Sequence, residues 1–452
     1  MTWQGEWVAS RLGVRLADGA RPAGVGLADL VGLAVRRNPK RAHLLVSAVL
    51  GKHVPTDPRL VYGAGLLLGD LVRARLRDED VSHGGASLAD ALLGVKGAAA
   101  ALRDALRGSM RESWTPVDAV VLGFAETATA LGHSVADALG GAYYLHSTRR
   151  PVPGLAAYGG FEEEHSHATS HLLLPGDGKA LDQDVPVVLV DDELSTGRTV
   201  LNTIEALHAV RPHQQYVVAV LVDLRDEGDE AHMNALADRL GARIDVVALA
   251  HGRVELPEGV LKAGQTLVKD LSSRVLPNAA RASFEVTRVN LEWPSEVPDG
   301  GRHGFLPIHR TWLEKDLPRM ADVLTPHLDG ADHVLVLGFE ELMYAPLRLA
   351  ETLADAKPDS DVRYSTTTRS PVLAVDDPGY AIRTRLAFPS HDDPSDGPGE
   401  RYAYNVDASF DRIVLVVDDV GDTAELSQGL LERLRALAPV LLVTVPAYRN
   451  QS

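Results

Sequence analysis

The sequence contains no cysteine. Disulfides, thiolate zinc sites and cysteine nucleophiles are therefore excluded. It also lacks an apolar run long enough to span a membrane. Its first residues, MTWQGEWVAS, show no basic segment ahead of an apolar core, so no signal peptide is expected. Positive charge is scarce: 45 Lys and Arg stand against 62 Asp and Glu, a net of −17. That sign disfavours non-specific binding to nucleic acid or an anionic membrane. The expectation is a soluble cytoplasmic protein with neither as a partner. What is present is ordinary for folded domains: 452 residues, 45% of them apolar and 24% charged, enough for two domains with full cores.

From residue 118 onward, apolar strands alternate with helical patterns. DAVVLGF, AYYLHSTRRP, ATSHLLLP, VPVVLVDD, YVVAVLVDL and RIDVVALA read as strands; ETATALGHSVADALG, LNTIEALHAV and AHMNALADRLG read as helices. This order predicts βαβ units and a mostly parallel sheet. Ahead of it, LADALLGVKGAAAALRDALRGSM reads as helical. NLEWPSEVPDGGRHGF, residues 290–305, is rich in Pro and Gly and reads as a linker or functional loop. The layout then recurs. DHVLVLGFEEL repeats DAVVLGFAET, VRYSTTTRSPV repeats YYLHSTRRPV, and RIVLVVDDVGDTAEL repeats VPVVLVDDELSTGRT, in the same order. The predicted fold is α/β: two tandem doubly wound parallel sheets. The expected division is 1–285 as a first domain with a helical extension, 286–305 as the connection, and 306–452 as a second domain.

The stretch VVLVDDELSTGRT carries the most chemistry. A β-branched strand runs into Asp191 and Asp192, then into Ser195, Thr196, Gly197, Arg198 and Thr199, and then into a helix. A helix amino terminus offers unpaired N–H groups and partial positive charge; glycine lets the backbone close on an anion, and hydroxyls add donors. Those five residues suit a phosphate monoester. Two carboxylates would repel phosphate but suit the vicinal hydroxyls of an attached sugar, or Mg²⁺ through water. A sugar 5-phosphate fits both.

In these residues the sequence resembles the type I phosphoribosyltransferases, whose donor is 5-phosphoribosyl-1-diphosphate (PRPP). The resemblance implies that Asp191 and Asp192 take the ribose and bind Mg²⁺, and that Ser195 to Thr199 hold the 5-phosphate. GFAETATALG stands where the family has its diphosphate loop, which places Gly123 and Thr127 near the diphosphate, with Glu126 facing the site. The usual Arg-Gly-Gly form of that loop is lacking. HSTRRP supplies Arg149 and Arg150 for the departing diphosphate. The following GGFEEEHSHATSH stands at the family's mobile loop and carries Glu162, Glu163, Glu164, His165, His167 and His171. Three roles are open to it: contact or proton transfer through His165 and His167, metal binding, or a solvated acidic surface. NPKRAHLLVSAVLGKHVP adds Lys40, Arg41, Lys52 and His53, a basic cluster suited to the diphosphate, an acidic acceptor, the protein's own acids or a subunit contact.

In the second copy, Asp418 and Asp419 repeat the acid pair. Asp422 replaces Ser195, Ala424 replaces Gly197 and Glu425 replaces Arg198, so a phosphate cradle is not expected there. Its TTTRSP segment, 366–371, remains open to another ligand or to an interface with the first half. The tandem layout resembles two-domain proteins with a phosphoribosyltransferase-like domain and a C-terminal TRSP domain, associated with tellurite-resistance and stress gene clusters. That resemblance implies a Mg²⁺-dependent enzyme joining PRPP to a base-like acceptor to make or modify a nucleoside-like molecule. It also allows a homodimer or contact with other stress-cluster proteins. A non-catalytic PRPP or nucleotide sensor is the alternative, and a diphosphokinase is disfavoured by the lack of an ATP-binding segment.

Overall fold

The computed structural model describes residues 2–37, 41–79, 87–112, 114–150, 152, 155, 157–162, 170–272, 283–392 and 399–449. Val- and Leu-rich segments form two sheets. The first is six-stranded, in the order Arg15–Asp18, Arg243–Glu255, Gln215–Asp223, Val187–Leu194, Val120–Gly123 and Tyr143–His146. All neighbours are parallel except Arg15–Asp18, which runs antiparallel along Arg243–Glu255. The second is five-stranded and wholly parallel: Val286–Val289, Val440–Val445, Arg412–Asp418, His333–Gly338 and Asp361–Thr366. The central strands are buried on both faces, which accounts for their near-continuous apolar runs, whereas the edge strands Arg15–Asp18 and Val286–Val289 are largely half-buried or exposed.

The last four strands in each order correspond. Numbered by their order in the chain, both quartets read 4-3-1-2 across the sheet. Each half also places a two-stranded antiparallel hairpin between its second and third strands: Gly159–Glu162 with Ser170–Leu173, and Arg385–Pro389 with Glu400–Tyr404. Ser170–Leu173 thus lies outside the main sheet, paired locally.

Between the halves runs the helix Pro58–Arg77, buried along most of its length. It packs on Thr129–Leu139, where a Cβ at Gly65 would come within 2.4 Å of the Ser134 Cβ, so glycine permits the close approach. It also packs on Tyr344–Ala356 of the second half. Asp137 anchors the junction, accepting from the hydroxyls of Tyr62 (2.8 Å) and Tyr344 (2.6 Å); the Arg348 guanidinium donates to both tyrosines.

Two segments gain detail from the structure. LADALLGVKGAAAALRDALRGSM divides into the helices Leu88–Leu92 and Ala98–Glu112, because Gly94 and Gly97 take left-handed backbone angles between them. Residues 290–305 are wedged between the halves: Leu291, Val297, Asp299, Arg302 and His303 are buried, and Phe305 exchanges backbone hydrogen bonds with Tyr144. Among the described residues, no helix is long and apolar enough to cross a membrane.

Candidate active site

The strand Val187–Leu194 sets the geometry. Its first four residues are buried; Asp191, Asp192 and Glu193 emerge half-buried at its carboxyl end, where open α/β sheets bind ligands. The chain then turns through Ser195 and Thr196 to Gly197, which caps the helix Arg198–Val210 with φ at +75°. Glycine adopts that angle without the Cβ strain of other residues. The helix's first-turn N–H groups have no intrahelical acceptors, and its positive end points out of the turn.

Asp191, Asp192 and every residue from Ser195 to Thr199 line one cleft. Lys52 and Thr127 line it too, and the Lys52 ammonium donates to the Thr127 hydroxyl at 2.8 Å. Over the cleft lies the hairpin Val31–Val35 and His43–Ser47. From its turn, Arg41 donates to Glu193 Oε1 (2.8 Å) and to Ser195 Oγ (3.1 Å), tying the hairpin tip to the cradle. Asp191 Oδ1 accepts from the Asp192 N–H at 2.9 Å. Burial and the adjacent Glu193 push the Asp192 carboxyl above its ordinary value, against the pull of Lys52 and Arg36. His53 also lines the cleft. Burial first, then Lys52 and Arg36, hold it well below the usual histidine range and therefore neutral.

Gly123 and Glu126 stand behind the cleft wall. A Cβ at Gly123 would meet the Tyr144 hydroxyl at 2.4 Å, so this glycine serves packing. Glu126 is only 5% exposed, with Oε1 3.7 Å from the Lys52 ammonium. Burial opposes its charge, but Lys52, Arg369 and Arg149 outweigh that cost and keep it ionised.

The two arginines expected at the diphosphate do not line the cleft. The strand end that carries them faces the second half. The Arg149 N–H donates to Glu341 (3.1 Å), and its guanidinium acts on Glu126. The Arg150 guanidinium pairs with Asp418 (2.8 Å) and Asp392 (2.5 Å). Buried carboxylates there demand a counter-charge, and Arg150 supplies it. His165 and His167, with Glu163, Glu164 and Lys40, lie outside the described residues. Arg36 and Glu193 line the cleft without being candidates from sequence, and Ser370 lines it from the TTTRSP segment. Arg36 sits in the basic stretch next to Lys40 and Glu193 directly follows the acid pair. Ser370 arrives from the other half, within the segment left open to a ligand or to an interface with the first half.

Among the described residues, no group of three or more His, Asp or Glu is arranged to hold a metal. Asp191 and Asp192 nonetheless fit Mg²⁺, which is commonly held by one or two carboxylates together with water and substrate phosphate.

The chain matches the family model described as phosphoribosyl transferase over residues 30–253. It matches the model of the TRSP domain that stands C-terminal to that transferase over residues 299–434. The chain belongs to this two-part phosphoribosyl transferase family. Solved structures similar to it include adenine phosphoribosyl transferase from Trypanosoma brucei (18% identity, 34% of this chain and 67% of that one, TM-score 0.24). Others are the Giardia lamblia enzyme (20%, 35% and 83%, TM-score 0.22) and the Leishmania tarentolae enzyme (21%, 36% and 73%, TM-score 0.22). No curated protein matches the chain.

Proposed function

We propose that this phosphoribosyltransferase uses PRPP as its donor and a base-like nitrogen as its acceptor, to make or modify a nucleoside-like molecule. One observation carries the reading. A sugar-type acid pair, a glycine-centred anion cradle at a helix amino terminus, and the Lys52–Thr127 pair all line one cleft.

The donor's 5-phosphate lies on Ser195 to Thr199, where N–H groups and hydroxyls donate and Arg198 adds charge. Asp191 and Asp192 accept from the ribose hydroxyls and fix the sugar for attack. The diphosphate extends toward Lys52 and Thr127. The anomeric C–O bond breaks and its electron pair leaves with the diphosphate, while a C–N bond forms and the acceptor nitrogen loses a proton. Lys52 stabilises the charge that gathers on the leaving group. Mg²⁺, held by Asp191 and Asp192 through water, supplies further charge neutralisation when bound.

The reading also takes 1–285 and 306–452 as the two domains, and the second as a degenerate duplicate. The shared strand order and the matched hairpins support this. In the second copy, Thr423 caps the helix Ala424–Gln428 with its own side chain and leaves an acidic first turn where a phosphate would need donors. The TRSP domain links the product to tellurite-resistance and stress functions, with a homodimer or other stress proteins as partners, in the cytoplasm.

Calorimetric titration with PRPP, with and without Mg²⁺, tests the donor. Mg²⁺-dependent binding is expected in the natural protein and is lost in Asp191→Asn/Asp192→Asn. A folded natural protein that binds no PRPP overturns the assignment.

A further inference from the structure

The two halves exchange equivalent contacts. Glu126, after the first strand of the first half, accepts from the Arg369 N–H at 3.5 Å and from the Thr368 side chain. Glu341, its counterpart, accepts from the Arg149 N–H at 3.1 Å and from the Thr148 hydroxyl at 2.7 Å. Thr-Arg of each half thus holds the loop glutamate of the other. The next residue breaks the symmetry. In the first half it is Arg150, whose guanidinium crosses to the second half and binds Asp418, the counterpart of Asp191. In the second half it is Ser370, which lines the first cleft.

The same segment supports that cleft from its other side. The Arg37 N–H donates to the Pro371 carbonyl (3.1 Å), the Leu373 N–H donates to Val35 (3.0 Å), and Arg36 bridges Val372. Asn405 donates to the carbonyl of His53 at 2.9 Å. The hairpin over the cleft and the loop carrying Lys52 and His53 are both fastened to the C-terminal half.

We propose that the C-terminal half completes the cleft of the first half. The pair Ser370 and Arg150 decides which acid pair faces a cleft: Asp191 and Asp192 line one, whereas Asp418 is buried under Arg150. Ser370 is small and lines the cleft together with Asp191; Arg150, at the equivalent position, pairs with Asp418 instead. Thr368 and Arg369 are positioning residues, acting on Lys52 and Thr127 through Glu126. The ligand class rests on the donor reading above; the occlusion does not.

The test is Ser370→Arg. Arg150 reaches Asp418 from the equivalent position, so a guanidinium at 370 reaches Asp191. Mg²⁺–PRPP affinity is expected to fall roughly 100-fold, the scale of one lost charged contact site. The crystal structure of S370R is expected to show the introduced guanidinium on Asp191 or Asp192. A guanidinium turned away from both carboxylates, with unchanged PRPP affinity, overturns the inference. Should the natural protein bind no PRPP, the donor reading fails, and the position of that guanidinium alone decides the inference.

Discussion

Arg150 closes on Asp418 at 2.8 Å, joining a strand end of one half to the acid pair of the other. Arg302 adds a second cation 3.6 Å from the same carboxylate, and Asp392 lies on the far side of the Arg150 guanidinium. The Asp418 and Asp392 side chains are 1% and 2% exposed, so this is a buried network that joins the two halves.

Removing Arg150 therefore acts on stability. Truncating one partner of a buried pair leaves an uncompensated charge and costs roughly 3–5 kcal/mol. Arg150→Ala is expected to lose about that much in urea unfolding at neutral pH, and Arg150→Lys less. The loss shrinks in acid, where the orphaned carboxylates take up protons. PRPP affinity stays near that of the natural protein, because Arg150 does not line the donor cleft. A large loss of turnover with stability intact would restore the diphosphate role that the sequence suggested for this arginine.

In the proposed function Lys52 acts on the donor instead. Its ammonium lies 2.8 Å from Thr127 Oγ1 and 3.7 Å from Glu126, and it is the cation nearest this loop from within the cleft wall. Lys52→Met removes a charged donor worth about 1.5–3 kcal/mol, so PRPP should bind roughly 10- to 100-fold more weakly. Diphosphate should weaken in parallel, while ribose 5-phosphate, which does not reach that end, should bind almost unchanged. Equal losses for both ligands would place Lys52 elsewhere.

The sequence exposed what is local. The strand into Asp191 and Asp192, the turn at Gly197 and the helix after it form one continuous stretch, and periodicity with turn chemistry marks each part. The repeat was legible for the same reason, since Gly-Phe-x-Glu and Thr-Arg-x-Pro recur in order. Contacts across the halves were not. Glu126 and Arg369 are 243 positions apart, and nothing in either segment names the other. A strand-end Arg-Arg pair suits a phosphate and a buried carboxylate equally, so Arg149 and Arg150 were assigned to ligand when the fold gives them to the junction. Composition marks 290–305 as a linker or functional loop, and it does not show that Leu291, Val297, Asp299 and Arg302 within it are buried.

The same junction makes stability depend on pH. His146 is fully buried beside Glu341 and Arg302, with Nδ1 2.9 Å from the Ser147 carbonyl. Burial drives it down to about 4, and burial likewise brings His303 to about 4. Both are neutral in the native protein, whereas unfolded histidines take up protons near 6.5. Between those values the unfolded state binds more protons, so stability rises with pH across this window and falls on acidification from about 6.5 to about 4. The slope approaches about 1.4 kcal/mol per pH unit for each histidine. Glu341, held below its ordinary value because Arg302, His146 and Arg150 outweigh its burial, extends the loss below about pH 4.5. Urea unfolding at pH 7.5 and pH 5 should show the drop. His146→Asn, which keeps a donor for the Ser147 carbonyl but cannot titrate, should narrow it. The same drop in the variant would mean that His146 is not among the groups that take up the proton.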